Sequence, residues 1–138
     1  MSTGLNPYIT FEGNAREAIT FYHSVLGGEL VLSAFGESGM DHDPAAADNI
    51  MHAQLTTPGG LTLMASDSPP GMEFIQGNNI SVSLSGDDEA ELRGYWDGLS
   101  AGGTPGVPLE KAPWGDTFGM FTDKFGIGWL VNIAAAQA

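Results

Sequence analysis

One pattern of strand-like and helix-like runs occurs twice along the chain and constrains the fold more than any other feature. A strand, a helix and three further strands are predicted within about residues 5–66, and the same order returns within about residues 78–133. Residues 67–77 form the predicted linker. Internal repetition of a supersecondary unit indicates a duplicated architecture. We therefore predict a single α+β domain, covering residues 1–138, of two βαβββ modules that form a cupped, mainly antiparallel sheet.

Start and stop signals bound both predicted helices. The start signals are the capping-box pairs Asn14/Glu17 and Asp88/Glu91. A pair of glycines ends each helix, at 27–28 and at 102–103, and the two pairs are 75 residues apart. Apolar residues recur at helical spacing between these signals. Each helix is therefore expected to bury one stripe against the strands of its own module.

Alternating apolar and polar residues predict the strands. The predicted runs are Leu5–Phe11, Glu29–Phe35, Ile50–Thr57, Leu61–Ser66, Asn79–Ser85, about Pro108–Ala112, Thr117–Thr122 and Ile127–Ile133, the last two joined by a tight turn at 123–126. In the last run, Trp129, Val131 and Ile133 share one face. Leu130 and Asn132 share the other. The Asn132 amide there needs a hydrogen-bond partner or a polar cavity, because burying it unpaired costs about 1–3 kcal/mol.

Acidic residues strongly outnumber basic ones. Seventeen Asp and Glu residues against four Lys and Arg residues give a formal net charge of -13. Nucleic acids and anionic membranes are therefore excluded as partners, because binding their phosphates requires basic side chains. The charge favours a cationic ligand by steering, although solubility alone also explains it.

Several other classes of function find no support in the sequence. The chain has no cysteine, which excludes disulfides, thiolate nucleophiles and Cys-bound zinc. Neither a GxSxG elbow nor a GxxxxGK[ST] phosphate loop occurs. No apolar run approaches the roughly 20 residues that span a bilayer. The segment MSTGLNPY lacks the basic and apolar regions of a signal peptide, so a cytoplasmic location is expected.

Five segments that together span most of the chain carry a resemblance to a known family. They are PYITFEGNAREAITFY at 7–22, LGGEL at 26–30, MHAQL at 51–55, LMASD at 63–67 and WGDTFGMFTDKFGIGW at 114–129. In this order they resemble the PhnB-like subfamily of the vicinal oxygen chelate (glyoxalase/bleomycin-resistance/dioxygenase) superfamily. The resemblance implies two modules whose sheets curve around a shared cavity, and a homodimer. A dimeric ferredoxin-like α+β barrel is the second-ranked fold. It has one β-α-β-β-α-β unit per domain, whereas three strand signals follow each helix in this sequence.

The resemblance also implies positions for a divalent metal, which enzymes of the superfamily hold with His, Gln or Glu from the first and last strands of each module. The matching positions are Asn6 or Tyr8, Thr62 or Met64, Asn79 or Ser81, and Asn132. None offers an imidazole or a carboxylate, the ligands that divalent first-row metals favour. We predict no metal ligands at these positions, which disfavours glyoxalase I and extradiol dioxygenase chemistry. A divalent metal on other ligands stays open.

Some PhnB-like chains carry a methyltransferase label. This sequence has no glycine-rich turn after a parallel strand to hold a nucleoside cofactor, so the label is not adopted as a prediction.

His52 has the strongest functional pattern of the three histidines. In an alternating strand His52 and Gln54 share one face, opposite the apolar residues of the same strand, and are expected to point into the cup. His52 is either a hydrogen-bonded structural residue or a ligand contact or general base, because imidazole titrates near neutral pH. His42 lies in a loop at 37–49 that fits a solvated segment, a metal site or a lid over the cavity.

Three further residues complete the predicted ligand-binding set. Trp114 stands at a strand entry, where core packing explains an indole less well than contact with a ligand does. Tyr8 and Asn132 contribute polar groups from the first and last strands. Asp67 and Asp116 lie near strand ends, where a carboxylate at the rim of the cup can meet a cation.

Three functional classes remain open at this point. The first is a protein that binds an unidentified small molecule in the sheet cavity, for resistance or sequestration. The second is a metal-dependent lyase, isomerase or oxygenase with non-standard ligands around His52. The third is a dimer whose cup is filled by packing and whose role is interaction.

Overall fold

The computed structural model of the chain describes residues 3–38, 47–69 and 71–135. They form two compact units, which divide between Ile75 and Gln76. Each unit contains a four-stranded mixed sheet. Within the described residues, no helix has the length and apolar character needed to cross a membrane. Three strands of the same unit follow each long helix, as the α+β prediction requires and as the ferredoxin-like alternative does not.

The first unit forms one sheet with the strand order β1-β4-β3-β2. Its elements are β1 (Tyr8–Phe11), α1 (Ala15–Leu26), β2 (Glu29–Ala34), a short helix α2 (Phe35–Ser38), β3 (Ile50–Thr56) and β4 (Thr62–Asp67). Strand β1 runs parallel to β4, whereas the other two pairs are antiparallel. The predicted strand at Leu5 begins three residues later, and β2 ends before Phe35 because α2 starts there.

Helix α1 covers one face of this first sheet. Its buried side chains recur at helical spacing, as the sequence predicts. They are Ala15, Ala18, Ile19, Tyr22 and Leu26. The strands contribute a matching apolar set of Phe11, Ala53, Leu55, Leu63 and Ala65. Burial of these side chains is the main stabilising contribution of the first unit.

The second unit repeats the arrangement with the strand order β5-β8-β7-β6. Its elements are β5 (Ser81–Gly86), α3 (Glu89–Ser100), β6 (Thr104–Lys111), β7 (Thr117–Thr122) and β8 (Gly128–Ile133). Strand β5 is parallel to β8, and the other pairs are antiparallel. The side chains of Trp129, Val131 and Ile133 are all buried, which confirms the predicted faces of the last strand.

The two long helices begin with different caps. Asp88 Oδ1 accepts a hydrogen bond from the Glu91 N–H at 3.1 Å, as predicted. Asn14 occupies the N-cap position of α1, but its side chain makes no capping hydrogen bond, so the predicted capping box is wrong there. The backbone N–H groups at the start of α1 are satisfied by a different residue.

That residue is Asp67, the last of β4. Its Oδ1 accepts from the N–H groups of Gly13 and Ala15, both at 2.9 Å, and its Oδ2 accepts from the Ile50 N–H at 2.7 Å. The side chain is 1% exposed, so the prediction of a carboxylate at the rim of a cup is wrong. Asp67 instead fastens the start of α1 and the start of β3 to β4.

A second buried carboxylate organises the predicted turn between β7 and β8. The Gly126 N–H donates to the Asp123 carbonyl at 2.9 Å, and Gly126 has a φ of 88° that a residue with a side chain rarely adopts. Asp123 Oδ1 accepts from the N–H groups of Phe125 and Ile127, at 2.8 and 3.0 Å. Its Oδ2 accepts from Trp129 Nε1–H at 2.8 Å. The turn is thereby tied to the core of the second unit.

The second glycine of each helix-ending pair lies against the backbone of a neighbouring strand. A Cβ on Gly28 would collide with the Thr56 carbonyl oxygen, and a Cβ on Gly103 would collide with the Thr122 carbonyl oxygen. The same contact therefore occurs in both units. The repeated glycines allow a close approach of two backbones in addition to ending a helix.

Candidate functional site

The face of the first sheet opposite α1 carries three of the predicted site residues, and we call it the first open face. Residues that alternate with the buried set point to this side. They are Tyr8, Thr10, Val31, Ser33, His52, Gln54, Thr62, Met64 and Ser66. Strand register places Tyr8 beside Met64, Met64 beside Gln54, and Gln54 beside Val31, so one row crosses all four strands.

Tyr8 and His52 form a pair on the first open face. The Tyr8 hydroxyl lies 3.4 Å from His52 Nδ1, and the two ring centroids are 5.8 Å apart at an angle of 35°. This distance is long for a hydrogen bond, so a ligand atom can compete for either group. Gln54 Nε2 has an equally long contact, 3.4 Å, with Thr56 Oγ1. These groups can donate and accept hydrogen bonds without first breaking a strong internal one.

The face of the second sheet opposite α3, which we call the second open face, carries both polar and apolar side chains. Its residues are Ser81, Ser83, Ser85, Phe118, Met120, Thr122, Leu130 and Asn132. Register places Asn132 between Ser85 and Phe118. Serine supplies the polar edge along β5, whereas β7 and β8 contribute Phe118, Met120 and Leu130 together with the polar Thr122 and Asn132.

Asn132 finds the hydrogen-bond partner that the sequence requires of it. Its Nδ2 donates to Asp116 Oδ2 at 3.1 Å, and the Ala135 N–H donates to Asp116 Oδ1 at 2.9 Å. The hydrogen bond from the Asn132 amide has the larger effect, and the one from the Ala135 N–H the smaller; both hold the pKa of the Asp116 carboxyl below its ordinary value. These contacts stabilise the ionised form of Asp116. The sequence indicates the need for a partner but not which residue meets it.

Trp114 is presented on a hydrogen-bonded loop at the entry to β7. The Gly115 N–H donates to the Ala112 carbonyl at 3.0 Å, and the Ala112 N–H donates to the Asp116 carbonyl at 2.7 Å. The Trp114 side chain remains 63% exposed. Its ring meets Phe118 edge-on, with 5.6 Å between centroids. A large aromatic side chain is thus held in place while most of its surface stays available.

The five predicted ligand-binding residues fall into two sets. Tyr8, His52 and Gln54 share the first open face, whereas Asn132 lies on the second and Trp114 lies beside Phe118 of that face. His42 lies outside the described residues, as do residues 39–46 of its loop. His23 is half-buried, and its Nε2 lies 3.0 Å from the Gly28 carbonyl oxygen.

The donor atoms do not fit a divalent metal at the positions that the family resemblance implies. Asn132 is bound to Asp116, and Tyr8 and Met64 offer a phenol and a thioether. In the part of the chain that the structure describes, no group of three or more His, Cys, Asp or Glu side chains is arranged to hold a metal ion. Imidazole and carboxylate ligands are what such sites require.

Comparison with known proteins gives the family. The sequence matches the family model described as 3-demethylubiquinone-9 3-methyltransferase over residues 3–132. Protein YjdN of Escherichia coli K12 is 31% identical, with 96% of this chain and 97% of YjdN covered. The crystal structure of PA1353 from Pseudomonas aeruginosa is 40% identical, with a TM-score of 0.88 over 98% of this chain and 100% of that one. A PhnB protein from Bacillus cereus is 26% identical, with a TM-score of 0.75 over 96% and 100%.

More distant structures share the fold alone. A glyoxylase/bleomycin resistance protein/dioxygenase domain from Frankia is 17% identical, with a TM-score of 0.69 over 100% of this chain and 96% of that one. The fosfomycin resistance protein FosX from Listeria monocytogenes, in complex with Mn(II) and 1S,2S-dihydroxypropylphosphonic acid, is 13% identical, with a TM-score of 0.62 over 98% and 95%. The chain therefore belongs to the PhnB-like, 3-demethylubiquinone-9 3-methyltransferase-like family and has the fold of the glyoxalase/bleomycin-resistance/dioxygenase superfamily.

Proposed function

We propose that this protein binds a small aromatic cation on its open sheet faces and that it acts by sequestration, as a homodimer in the cytoplasm. On the first open face Tyr8, His52 and Gln54 supply hydrogen-bonding groups, and in the second unit Trp114 and Asn132 supply aromatic and amide contacts. The observation that carries the proposal is Trp114, which is largely exposed yet held by a hydrogen-bonded loop against Phe118.

The charge of the chain supports a cation as the ligand. Asp116, two residues after Trp114, carries a carboxylate whose ionised form is stabilised by two N–H groups. A cation over an indole face gains about 0.5–1 kcal/mol at an exposed site. The formal net charge of -13 attracts cations over longer distances and repels anions.

Methyl transfer, which the name of the matching family model suggests, is not part of the proposal. A nucleoside cofactor is commonly held at a glycine-rich turn that opens a helix. The N-terminus of α1 is already bound by the buried Asp67 carboxylate, and that of α3 is capped by Asp88. Carboxylates at both positions disfavour a further anionic group there.

Removal of the Trp114 side chain is expected to weaken binding of benzyltrimethylammonium. The variant Trp114→Ala loses the cation–π contact and should bind about twofold to fivefold more weakly, whereas Trp114→Phe should keep part of the affinity. The measurement is isothermal titration calorimetry of each variant. Neutral benzyl alcohol and anionic benzenesulfonate serve as ring-matched controls, and both should bind more weakly than the cation.

Salt provides an internal check on this result. Binding of the cation should weaken as ionic strength rises, because salt screens charges that lie near solvent. Met72→Ala, which removes another largely exposed apolar side chain, is the matched control and should bind like the parent protein. Equal affinity for all three ligands, or an unchanged affinity in Trp114→Ala, would overturn the proposal.

The His52→Ala variant should bind the same cation more weakly while it stays folded. His52 is only half-buried and its contact with Tyr8 is long, so the free energy of unfolding should change by less than about 1 kcal/mol. Loss of one hydrogen bond or ring contact to the ligand corresponds to roughly threefold to tenfold in affinity. His23→Ala, which removes an imidazole from α1, should leave affinity unchanged. Parent-like binding by His52→Ala would make His52 a structural residue.

A further inference from the structure

A groove between α3 and β6 lies on the helix side of the second sheet, apart from the second open face. It has a volume of about 390 Å³ and is lined by Arg93, Trp96, Asp97, Pro105, Pro108 and Leu109. We call it the α3–β6 groove. Its volume lies in the range of pockets that hold small ligands. None of its residues belongs to the site proposed above.

The irregular edge strand β6 explains why a groove occurs here. Proline lacks the N–H that a ladder needs, and β6 contains Pro105 and Pro108. Its register against β7 shifts between Pro105 and Val107 and again between Val107 and Glu110. Strand β2, which holds the same edge position in the first sheet, keeps regular register from Glu29 to Ser33. The departures from regular pairing let β6 bow and leave space beside α3.

The floor of the α3–β6 groove is fixed before any ligand binds. The Trp96 ring packs edge-on against Phe121, with 4.9 Å between centroids at 82°. Gly119 has no side chain, and a Cβ there would lie 2.7 Å from the Trp96 ring. Trp96 therefore cannot shift toward the sheet, and its half-buried indole offers a preformed apolar surface together with Leu109 and the proline rings.

Two charges of opposite sign flank this apolar floor. Arg93 and Asp97 are one helical turn apart on α3, a spacing that puts their side chains on the same side of the helix. Glu89 accepts from Arg93 Nε at 2.8 Å, which leaves the terminal guanidinium nitrogens for a second carboxylate. Among the described residues, none forms a hydrogen bond or an ion pair that would neutralise Asp97. The rim thus offers a cation and an anion one helical turn apart.

We propose that the α3–β6 groove binds a free α-amino acid with an aromatic or large aliphatic side chain. Its carboxylate pairs with Arg93, its ammonium group pairs with Asp97, and its side chain lies on Trp96. A zwitterion matches both charges at once, whereas a simple cation or anion matches only one of them. This site is independent of the aromatic-cation site on the open faces.

Amide-resonance titration of the full chain with L-phenylalanine tests the proposal. Saturable shifts are expected in the amides of residues 93–97 and of Gly106, Val107 and Leu109. Phenethylamine, 3-phenylpropionate and glycine each lack one of the three matching groups and should bind at least about threefold more weakly. Shifts that are equally large with glycine, absent with L-phenylalanine, or confined to the open faces would overturn the assignment.

Two charge-neutralising variants sharpen the result. Arg93→Gln and Asp97→Asn should each weaken L-phenylalanine binding by about threefold to fivefold, the range for a partly solvated charge pair. Arg16→Gln, which removes the same charge from α1, is the matched control and should bind like the parent chain. Asp97→Asn leaves every hydrogen bond described above intact, so it stays informative even if Arg93→Gln loosens α3. Parent-like affinity in Asp97→Asn would contradict the proposed pairing.

Discussion

The Asp67→Asn variant is expected to unfold with a free energy about 2–4 kcal/mol below that of the parent protein, although the two side chains have nearly the same shape. The carboxylate accepts three backbone N–H groups, from Gly13, Ala15 and Ile50. An asparagine amide replaces one acceptor oxygen by a donor, which must then face an N–H group in a buried site. The neutral asparagine avoids the cost of moving a charge out of water into the protein interior. The backbone N–H groups left without an acceptor cost more than this gain.

Urea unfolding followed by circular dichroism measures this difference. Asp87→Asn removes the same charge from an exposed position before α3 and should change the free energy of unfolding by less than about 0.5 kcal/mol. Asp123→Asn should behave like Asp67→Asn, because Asp123 accepts from two backbone N–H groups and the Trp129 indole. An Asp67→Asn midpoint equal to that of Asp87→Asn would show that the buried carboxylate is not a fastening point.

The Gly103→Ala variant should lose about 2–3 kcal/mol of stability, the cost of forcing an extra methyl group into a packed site. The new Cβ would collide with the Thr122 carbonyl oxygen and lie 3.0 Å from the Asp123 Cα. Both atoms belong to the backbone at the end of β7, which cannot move without disturbing the turn that Asp123 organises. Thermal unfolding should therefore occur at a clearly lower temperature than in the parent protein.

Gly94→Ala is the same chemical change, but it is expected to raise the stability of the protein. Gly94 lies within α3, and a Cβ there meets no atom within 4 Å. Alanine should stabilise the helix by about 0.5–1 kcal/mol, because glycine loses more backbone entropy on folding. If both glycine variants shifted the melting temperature in the same direction, the close approach at Gly103 would not be the cause.

The sequence predicts the order of elements because the two signals that define it are local. Helical and strand periodicities recur in both halves, and the glycine pairs mark both helix ends. The cap of α1 could not be predicted in this way. Asn14 has the right chemistry at the right position, yet Asp67 takes its role from 53 positions further along the chain. Only the parallel pairing of β1 with β4 brings that carboxylate to the start of the helix.

The candidate site was also predictable only in part, namely in which residues share a strand face. Alternation along the strands is enough to place His52 with Gln54 and to separate Asn132 from the buried Trp129. It does not reveal that Asp116 binds the Asn132 amide, because that contact joins a loop to the end of another strand. The α3–β6 groove could not be predicted from the sequence either. It depends on register shifts in β6, and the prolines allow such shifts without determining where they occur.

The most direct test of the proposed binding function is the map of amide resonances that shift when benzyltrimethylammonium is added to the isotope-labelled chain. We expect saturable shifts in the loop that carries Trp114, in Phe118 and Asn132 of the second open face, and in Tyr8 and His52 of the first. Shifts confined to α1 and α3, or no saturable shift with this cation, would contradict the claim that the open sheet faces bind the ligand.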